Sequence, residues 1–182
     1  IPNKNHIILY KKPPEKSGAK KKVAPKPLDR KLKILGVGIG GRGAAVLKGL
    51  ETEEIIGLCD VDWKYADRVF KRYPNAKKYN DYRVMFDELL DEADAVMVAT
   101  ADHTHAIIAA QAIAAGKHVY VEKPLTHTVY ESRLLTKLAK KHQVATQMGN
   151  QGASGNGVMT ACEWIWNGEI GEVRKVEAFT DR

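Results

Sequence analysis

Short apolar runs alternate with segments of helical periodicity along the chain from residue 31 onward. Such alternation predicts parallel strands joined by crossover helices. The predicted strands are Leu32 to Val37, Ile55 to Cys59, Lys77 to Tyr79, Ala95 to Ala99, His118 to Val121 and Val144 to Met148. We therefore expect an α/β fold over residues 31–150, built as a doubly wound parallel sheet with right-handed crossovers.

The segments between these strands carry signals of helix starts and stops. Helices are predicted over residues 41–50, 63–73, 81–90, 104–115 and 128–142. Pro74 stops the second helix, and Gly116 is a suitable left-handed cap for the fourth. Thr128 and Glu131 form a capping box at the start of the fifth. A predicted helix therefore connects each predicted strand to the next, as a doubly wound parallel sheet requires.

The pattern changes after Gly149. Residues 151–157 are rich in Gly, Ser and Asn, which predicts a loop. A helix is predicted over Val158 to Trp166 and a strand over Val173 to Phe179. One helix and one strand bury little apolar surface alone. We expect residues 151–182 to be the beginning of a truncated second α+β domain, whose remainder is absent from this chain.

The charge of the chain is concentrated at its beginning. The formal net charge is +7, and residues 1–30 hold nine Lys or Arg against two Asp or Glu, which accounts for the whole excess. The rest of the chain is neutral, so we expect no nucleic-acid partner. The Pro- and Lys-rich residues 1–30 are predicted to form a basic arm. A solvated spacer is the favoured interpretation, and attachment to an anionic surface is the alternative.

Other bulk features exclude several classes. No stretch approaches the roughly 20 apolar residues of a membrane span, so none is predicted. Cys59 and Cys162 fit neither a metal-ligand spacing nor a disulfide framework, and we predict two buried or half-buried thiols and no metal site. The chain begins at Ile1, so we expect a cleaved export signal or a trimmed sequence upstream. The expected location is cytoplasmic, or periplasmic if an export signal preceded Ile1.

Glycines crowd the turn after the first predicted strand. Two overlapping G-x-G-x-x-G registers exist, one starting at Gly36 and the other at Gly38. The second register, Gly38, Gly40 and Gly43, is favoured because it lets the strand run through Val37. Its glycines would make the tight turn, let the backbone approach a pyrophosphate, and let the helix pack closely. Gly41 and Arg42 lie at the helix N-terminus, where N–H groups and a guanidinium can bind phosphate.

An acidic residue follows at the distance that this fingerprint requires. Asp60 ends the second predicted strand, 22 residues beyond Gly38. A carboxylate there can accept hydrogen bonds from the adenosine ribose hydroxyls and would repel a 2′-phosphate, which predicts NAD rather than NADP. Asp62 is the competing candidate, and a plain loop acid or helix cap is the alternative for Asp60. The sequence therefore predicts a Rossmann domain that binds NAD.

Three further strings give the chain a family resemblance. They are the segment from Ala99 to His105, then Glu122-Lys123-Pro124, then Gly149-Asn150-Gln151. In order and spacing they resemble motifs of the glucose-fructose oxidoreductase/inositol dehydrogenase/MocA (Gfo/Idh/MocA) family, and the resemblance covers residues 31–182. Ala101 departs from the proline usual there. The resemblance implies an NAD(P)-dependent oxidoreductase that acts on a sugar, a cyclitol or a related polyol.

The resemblance also implies roles for individual residues. Lys123 would be catalytic, hydrogen-bonding a substrate hydroxyl near the nicotinamide and passing on its proton; an exposed charge at a strand end is the alternative. Glu122 would contact the nicotinamide ribose, and Pro124 would follow a cis peptide bond. The remaining cofactor-binding candidates are Thr100, Ala101 and Asp102 beside the ribose and pyrophosphate, His105 orienting the turn or next helix, and Gln151 or Asn150 at the nicotinamide amide or the substrate.

Three functions remain open at this point. The first is a dehydrogenase that moves hydride between a sugar carbinol carbon and nicotinamide. The second is a glycosidase that oxidises its sugar transiently with a retained NAD. The third is an NAD-binding chain without chemistry, either as a regulator or because its catalytic half is missing. The resemblance places the substrate-binding sheet and a further catalytic histidine in the missing second domain. The same domain often builds oligomer interfaces, so we expect a homo-oligomer for the full-length protein.

Overall fold

The computed structural model describes residues 29–180. Most of the predicted basic arm lies outside the described residues. The strands are β1 Lys33–Val37, β2 Glu54–Cys59, β3 Lys77–Tyr79, β4 Ala95–Val98, β5 His118–Glu122 and β6 Thr146–Gly149. The helices are α1 Gly41–Lys48, α2 Trp63–Arg72, α3 Tyr82–Leu89, α4 His105–Ala114, α5 Val129–His142 and α6 Asn156–Trp166. Short 3₁₀ turns cover Asp102–Thr104 and Gln151–Ser154.

The six strands form one parallel sheet in the order β3-β2-β1-β4-β5-β6. This is the doubly wound Rossmann order, so the predicted fold class is confirmed. All predicted strands and helices of residues 31–150 are present, with ends within two residues of the prediction. The strand order reverses between β1 and β4, and ligands bind such sheets at the carboxyl ends of the strands on either side of that point.

The sheet is covered on both faces because its strands are apolar on both faces. Neighbouring residues of β1 point to opposite sides: Ile34 packs with Leu47 of α1 and Phe70 of α2, whereas Leu35 belongs to the core on the other face. That second core includes Met85 of α3 and Ile108 of α4. The two cores fix both helical layers against the sheet, and with them the loops at its carboxyl edge.

The chain divides into two units, and the described parts are residues 29–150 and 151–180. In the second unit, α6 begins at Asn156, inside the predicted loop. The predicted strand from Val173 to Phe179 is wrong: residues 173–180 have no strand structure. A strand needs a hydrogen-bonded neighbour, and the described part of the chain offers this segment none. None of the described helices is long and apolar enough to cross a membrane.

Candidate functional site

The turn after β1 is shaped by the absence of side chains. Gly38 has a φ of 75°, and its N–H donates to the carbonyl oxygen of Cys59 at 2.9 Å. A Cβ on Gly38 would lie 2.6 Å from the nitrogen of Thr100. A Cβ on Gly43, in the first turn of α1, would overlap the carbonyl oxygen of Gly38. The turn and the close helix approach therefore both fall on glycines of the favoured register, whereas Gly36 lies inside β1.

The N-terminus of α1 presents backbone donors to this edge of the sheet. Its N-cap is Gly40, which has no side chain to accept from the first turn. The first N–H that is bonded back to the turn belongs to Ala44, which donates to the Gly40 carbonyl oxygen at 2.8 Å. The N–H groups of Gly41, Arg42 and Gly43 precede it, and the helix dipole adds a partial positive charge there. Such a terminus fits the phosphates of a nucleotide.

Tyr65 lies over the glycine turn, and sequence reasoning missed it. A Cβ on Gly40 would overlap its ring, and a Cβ on Gly41 would lie 2.6 Å from its hydroxyl oxygen. The space beside Gly40 that the sequence assigned to a pyrophosphate is thus bordered by this ring. Tyr65 is 65% exposed, so the ring can move into solvent. The one signal for this contact was an exposed aromatic residue in the first turn of α2, the helix that follows Asp60 and Asp62.

The two acidic candidates after β2 have different partners. Asp60 accepts from the N–H of Gly40 at 2.9 Å through one oxygen and from the N–H of Asp62 at 3.0 Å through the other. Its carboxylate therefore lies beside the glycine turn. Asp62 is the N-cap of α2 and accepts from the N–H of Tyr65 at 2.9 Å. The structure thus gives Asp62 a helix-capping role and puts Asp60 next to the glycine turn.

A cavity of about 500 Å³ opens beside Asp60. Its size is that of a small-molecule or cofactor site. The walls come from the ends of β1, β2 and β4 and from the turn before α3; they include Gly38, Gly40, Gly41, Asp60, Tyr65, Asp81, Arg83, Thr100, Ala101 and His103. Asp102 is exposed and is not among the residues that line it.

Two carboxylates, those of Asp60 and Asp81, line the cavity. Cys59 also lines it, and burial, with smaller contributions from Asp60 and Asp81, raises the pKa of its thiol to about 12. On the wall, Arg83 donates to both carboxylate oxygens of Asp81, with the shortest contact at 2.6 Å. This hydrogen bonding lowers the pKa of Asp81 to about 2. The Arg83 charge is therefore matched by Asp81, and Asp60 leaves the region anionic.

His105 joins two loops of the sheet edge. It is 1% exposed, and its Nδ1 lies 2.7 Å from the carbonyl oxygen of Pro124 while its Nε2 lies 3.0 Å from that of Thr100. The hydroxyl of Thr104 adds contacts at 2.7 Å to the Thr100 hydroxyl and the Ala101 carbonyl. His105 thus contacts protein backbone through both ring nitrogens, whereas His103 is exposed at the cavity wall.

The Glu122-Lys123-Pro124 string lies at the end of β5. Glu122 is buried, and its carboxylate accepts from Arg42 Nε at 3.2 Å and from the Tyr120 hydroxyl at 3.2 Å. Arg42, expected at the phosphates, is therefore ion-paired with Glu122. The Lys123–Pro124 peptide bond is cis, as the resemblance implied. The Lys123 side chain is exposed, and no ion pair is formed by its ammonium within residues 29–180.

Gln151 is the last of the predicted site residues. Gln151 is the first residue of the 3₁₀ turn Gln151–Ser154 in the second unit. Among the described residues, no group of three or more His, Cys, Asp or Glu side chains could hold a metal ion. The donors that the structure brings together are thus backbone N–H groups and single carboxylates, a set that fits a dinucleotide.

Comparison with known proteins agrees with this geometry. Residues 30–150 match the model of the GFO_IDH_MocA family, described as an oxidoreductase family with an NAD-binding Rossmann fold. An uncharacterized oxidoreductase of Schizosaccharomyces pombe is 38% identical over 113 residues, which are 60% of this chain and 29% of that protein. Inositol 2-dehydrogenase of Salmonella typhimurium is 29% identical over 142 residues, 75% of this chain and 42% of the relative.

Solved structures show the same fold. The crystal structure of myo-inositol 2-dehydrogenase from Lactobacillus plantarum aligns with a TM-score of 0.71 at 22% identity, over 79% of this chain and 43% of the other. The chain spans less than half the length of each of these three proteins. Because the family model covers most of the chain, from the end of the basic arm to the last strand, the chain belongs to the Gfo/Idh/MocA family of NAD-binding oxidoreductases.

Proposed function

We propose that this chain is the NAD-binding part of an oxidoreductase that transfers a hydride between nicotinamide and a sugar, cyclitol or related polyol. Family membership supports the reaction class, and the likeness to an inositol 2-dehydrogenase supports the substrate class. The observation that carries the proposal is the Asp60 carboxylate beside the uncapped N-terminus of α1, at the mouth of a cofactor-sized cavity.

The glycine turn would hold the pyrophosphate. The N–H groups of Gly41, Arg42 and Gly43 face the edge of the sheet at the positive end of the α1 dipole. Gly38 and Gly40 keep the approach free of side chains once the exposed Tyr65 ring has moved aside.

Asp60 would select the cofactor. Its carboxylate already accepts from two backbone N–H groups and can accept further hydrogen bonds from the adenosine ribose hydroxyls. The same charge repels a 2′-phosphate, and Asp81 neutralises the nearby Arg83 that could have attracted one. These charges support NAD over NADP. Thr100 and Ala101 border the cavity on the opposite side, with Asp102 next to them in the chain.

The hydride chemistry belongs to the nicotinamide of the bound cofactor. Lys123, exposed at the end of β5, would hydrogen-bond the substrate hydroxyl and accept or return its proton. Glu122 would accept from the nicotinamide ribose. His105, bonded to the backbone on both sides, would orient Lys123 through the Pro124 carbonyl, and Gln151 would contribute a hydrogen bond to the nicotinamide amide or the substrate.

The experiment is a calorimetric titration with NADH and, in parallel, NADPH, on the wild type and two charge variants. Asp60→Asn and Asp62→Asn each remove one carboxylate, two positions apart, and Asn remains a good helix cap at residue 62. We expect saturable NADH binding, and a loss of about tenfold or more in Asp60→Asn because charged hydrogen bonds are lost. Asp60→Asn should also reduce the ratio of the NADPH to the NADH dissociation constant.

Asp62→Asn is the matched control and should bind both nucleotides as the wild type does. The absence of saturable binding to either nucleotide in a folded wild-type chain would overturn the proposal. Equal losses in the two variants would show that the carboxylates act only through their summed charge, which would contradict the role given to Asp60.

A further inference from the structure

An ion pair joins the glycine turn to the end of β5. Arg42 and Glu122 are 80 residues apart in the chain, and Arg42 Nε lies 3.2 Å from Glu122 Oε1. The two ends differ in exposure: the Arg42 side chain is half exposed, whereas that of Glu122 is 5% exposed. A carboxylate withdrawn from water stays charged only when a cation or several donors compensate it. Arg42 is such a cation for Glu122.

The surroundings of Glu122 leave its carboxylate little freedom. The Tyr120 hydroxyl donates to Oε1 at 3.2 Å, and the N–H of Lys123 donates to Oε2 at 3.3 Å. On the neighbouring strand β6, a Cβ on Gly149 would lie 2.6 Å from Oε1. The missing side chain at Gly149 therefore makes room for the carboxylate. The carboxylate is thus contacted by β5, by the residue after β5 and by β6, and Arg42 of α1 supplies a positive charge.

We propose that Arg42 is a positioning residue, which holds the Glu122 carboxylate in place for the nicotinamide ribose. This inference rests on the proposed function, in which Glu122 contacts that ribose. It differs from the phosphate-ligand role that the sequence suggested for Arg42. A phosphate ligand acts on the adenosine diphosphate half of the cofactor, whereas a positioning residue for Glu122 acts on the nicotinamide half.

The affinities for ADP and NADH distinguish a phosphate ligand from a positioning residue. ADP contains the adenosine and the pyrophosphate, and NADH adds the second ribose and the nicotinamide. If Arg42 positions Glu122, Arg42→Gln leaves the ADP dissociation constant within about twofold and weakens NADH about tenfold, as expected for a lost charge-assisted hydrogen bond. Glu122→Gln weakens NADH in the same way. Adding Arg42→Gln to the Glu122→Gln variant then does not weaken NADH binding further, because the two residues act as one unit.

A second measurement needs no nucleotide. Arg42→Gln removes the Arg42 cation from the buried Glu122 carboxylate, so the melting temperature falls, and adding Glu122→Gln restores it because a neutral amide needs no cation. Arg133→Gln is the matched control, since Arg133 is an exposed arginine on α5 that forms no ion pair within the described residues. It should change neither the melting temperature nor either dissociation constant.

Several outcomes would overturn the proposal. Equal weakening of ADP and NADH in Arg42→Gln would make Arg42 a phosphate ligand, and unchanged binding of both would give it no role. Losses that add in the double variant, in affinity or in melting temperature, would show that the pair is not coupled. If the wild type fails to bind NADH, the proposed function itself is wrong. If the wild type binds NADH but Arg42→Gln changes the ADP and NADH dissociation constants equally, only the role proposed for Arg42 is wrong.

Discussion

The helix after the glycine turn packs so closely on it that a methyl group on Gly43 would overlap the carbonyl oxygen of Gly38. The contact is between backbone atoms, which cannot swing aside as a side chain can. It explains physically why the third glycine of the fingerprint is a packing requirement.

Exchanging the second and third glycines for alanine should separate stability from binding. Gly43→Ala forces the backbone of α1 away from β1 and should cost about 3 kcal/mol of unfolding free energy or more. Gly40→Ala meets only the exposed Tyr65 ring, which can rotate into solvent, so it should cost less than about 1 kcal/mol. Its methyl group would still obstruct a pyrophosphate, so NADH affinity should fall. Denaturant unfolding and calorimetric titration measure the two effects. Equal destabilisation by both variants would contradict this distinction.

Two glycines with nearly the same φ provide a matched pair. Gly38 and Gly116 have φ values of 75° and 76°. Nothing lies within 4 Å of a Cβ on Gly116, whereas one on Gly38 would lie 2.6 Å from the nitrogen of Thr100. Gly116→Ala should therefore cost about 1 kcal/mol, from the left-handed conformation alone. Gly38→Ala should cost about 3 kcal/mol because overpacking is added. Chemical denaturation of both variants tests this, and equal costs would mean that the Thr100 contact is easily relieved.

The thiol under the cavity should be inert in the folded protein. Cys59 is 3% exposed and its pKa is raised to about 12, mainly by burial. At pH 8 it carries roughly a thousandfold less thiolate than a thiol with the ordinary pKa near 9. Cys162 is partly exposed. Iodoacetamide, followed by mass spectrometry, should label Cys162 alone in the native protein and both thiols after unfolding. If iodoacetamide labels Cys59 in the folded Cys162→Ser variant, this result would contradict the burial of the Cys59 thiol.

Acid should weaken the attachment of the chain before β1. Asp94 accepts from the Arg30 guanidinium at 2.6 and 2.7 Å and from the N–H of Lys33 at 2.8 Å. The Arg30 hydrogen bonds hold the pKa of Asp94 well below its usual range. A lowered folded-state pKa stabilises the fold above the ordinary pKa near 4, and this stabilisation is lost as the pH falls below that value.

Urea unfolding at a series of pH values checks this acid dependence. The wild type should lose stability on acidification below pH 4 more steeply than Asp94→Asn, which has no carboxyl at this position to protonate. Asp67→Asn is the control, because Asp67 forms only an exposed ion pair with Lys71 and should follow the wild type. Identical slopes for Asp94→Asn and the wild type would show that Asp94 titrates alike in the folded and unfolded chain.

Local patterns were sufficient to predict most of the fold. Strands β1 and β2 are largely apolar runs followed by Gly38 and Asp60, and the glycine register followed from the length of β1. The segment from Val173 to Phe179 shows where such reasoning fails. Alternation fits a strand, but a strand forms only beside another strand, and no local property of the segment supplies that neighbour.

The sequence indicated where candidate residues lie but not which partners they have. Asp60 lies beside the glycine turn that its spacing from Gly38 suggested, and the cis Lys123–Pro124 bond was implied by the family resemblance. The pairing of Arg42 with Glu122 spans 80 residues and depends on how the sheet brings α1 next to β5. The Tyr65 ring over Gly40 is another contact of this kind. Such partnerships are set by tertiary packing, which single positions in a sequence do not encode.

The buried ring of His105 has a mechanical consequence for the edge of the sheet. One ring nitrogen lies 3.0 Å from the carbonyl oxygen of Thr100 on one loop, and the other lies 2.7 Å from that of Pro124 on another. Displacing either loop alone would pull a carbonyl oxygen away from this ring in the protein interior, where lost polar contacts are costly. One buried side chain therefore ties the loop that borders the cavity at Thr100 to the turn that carries Lys123.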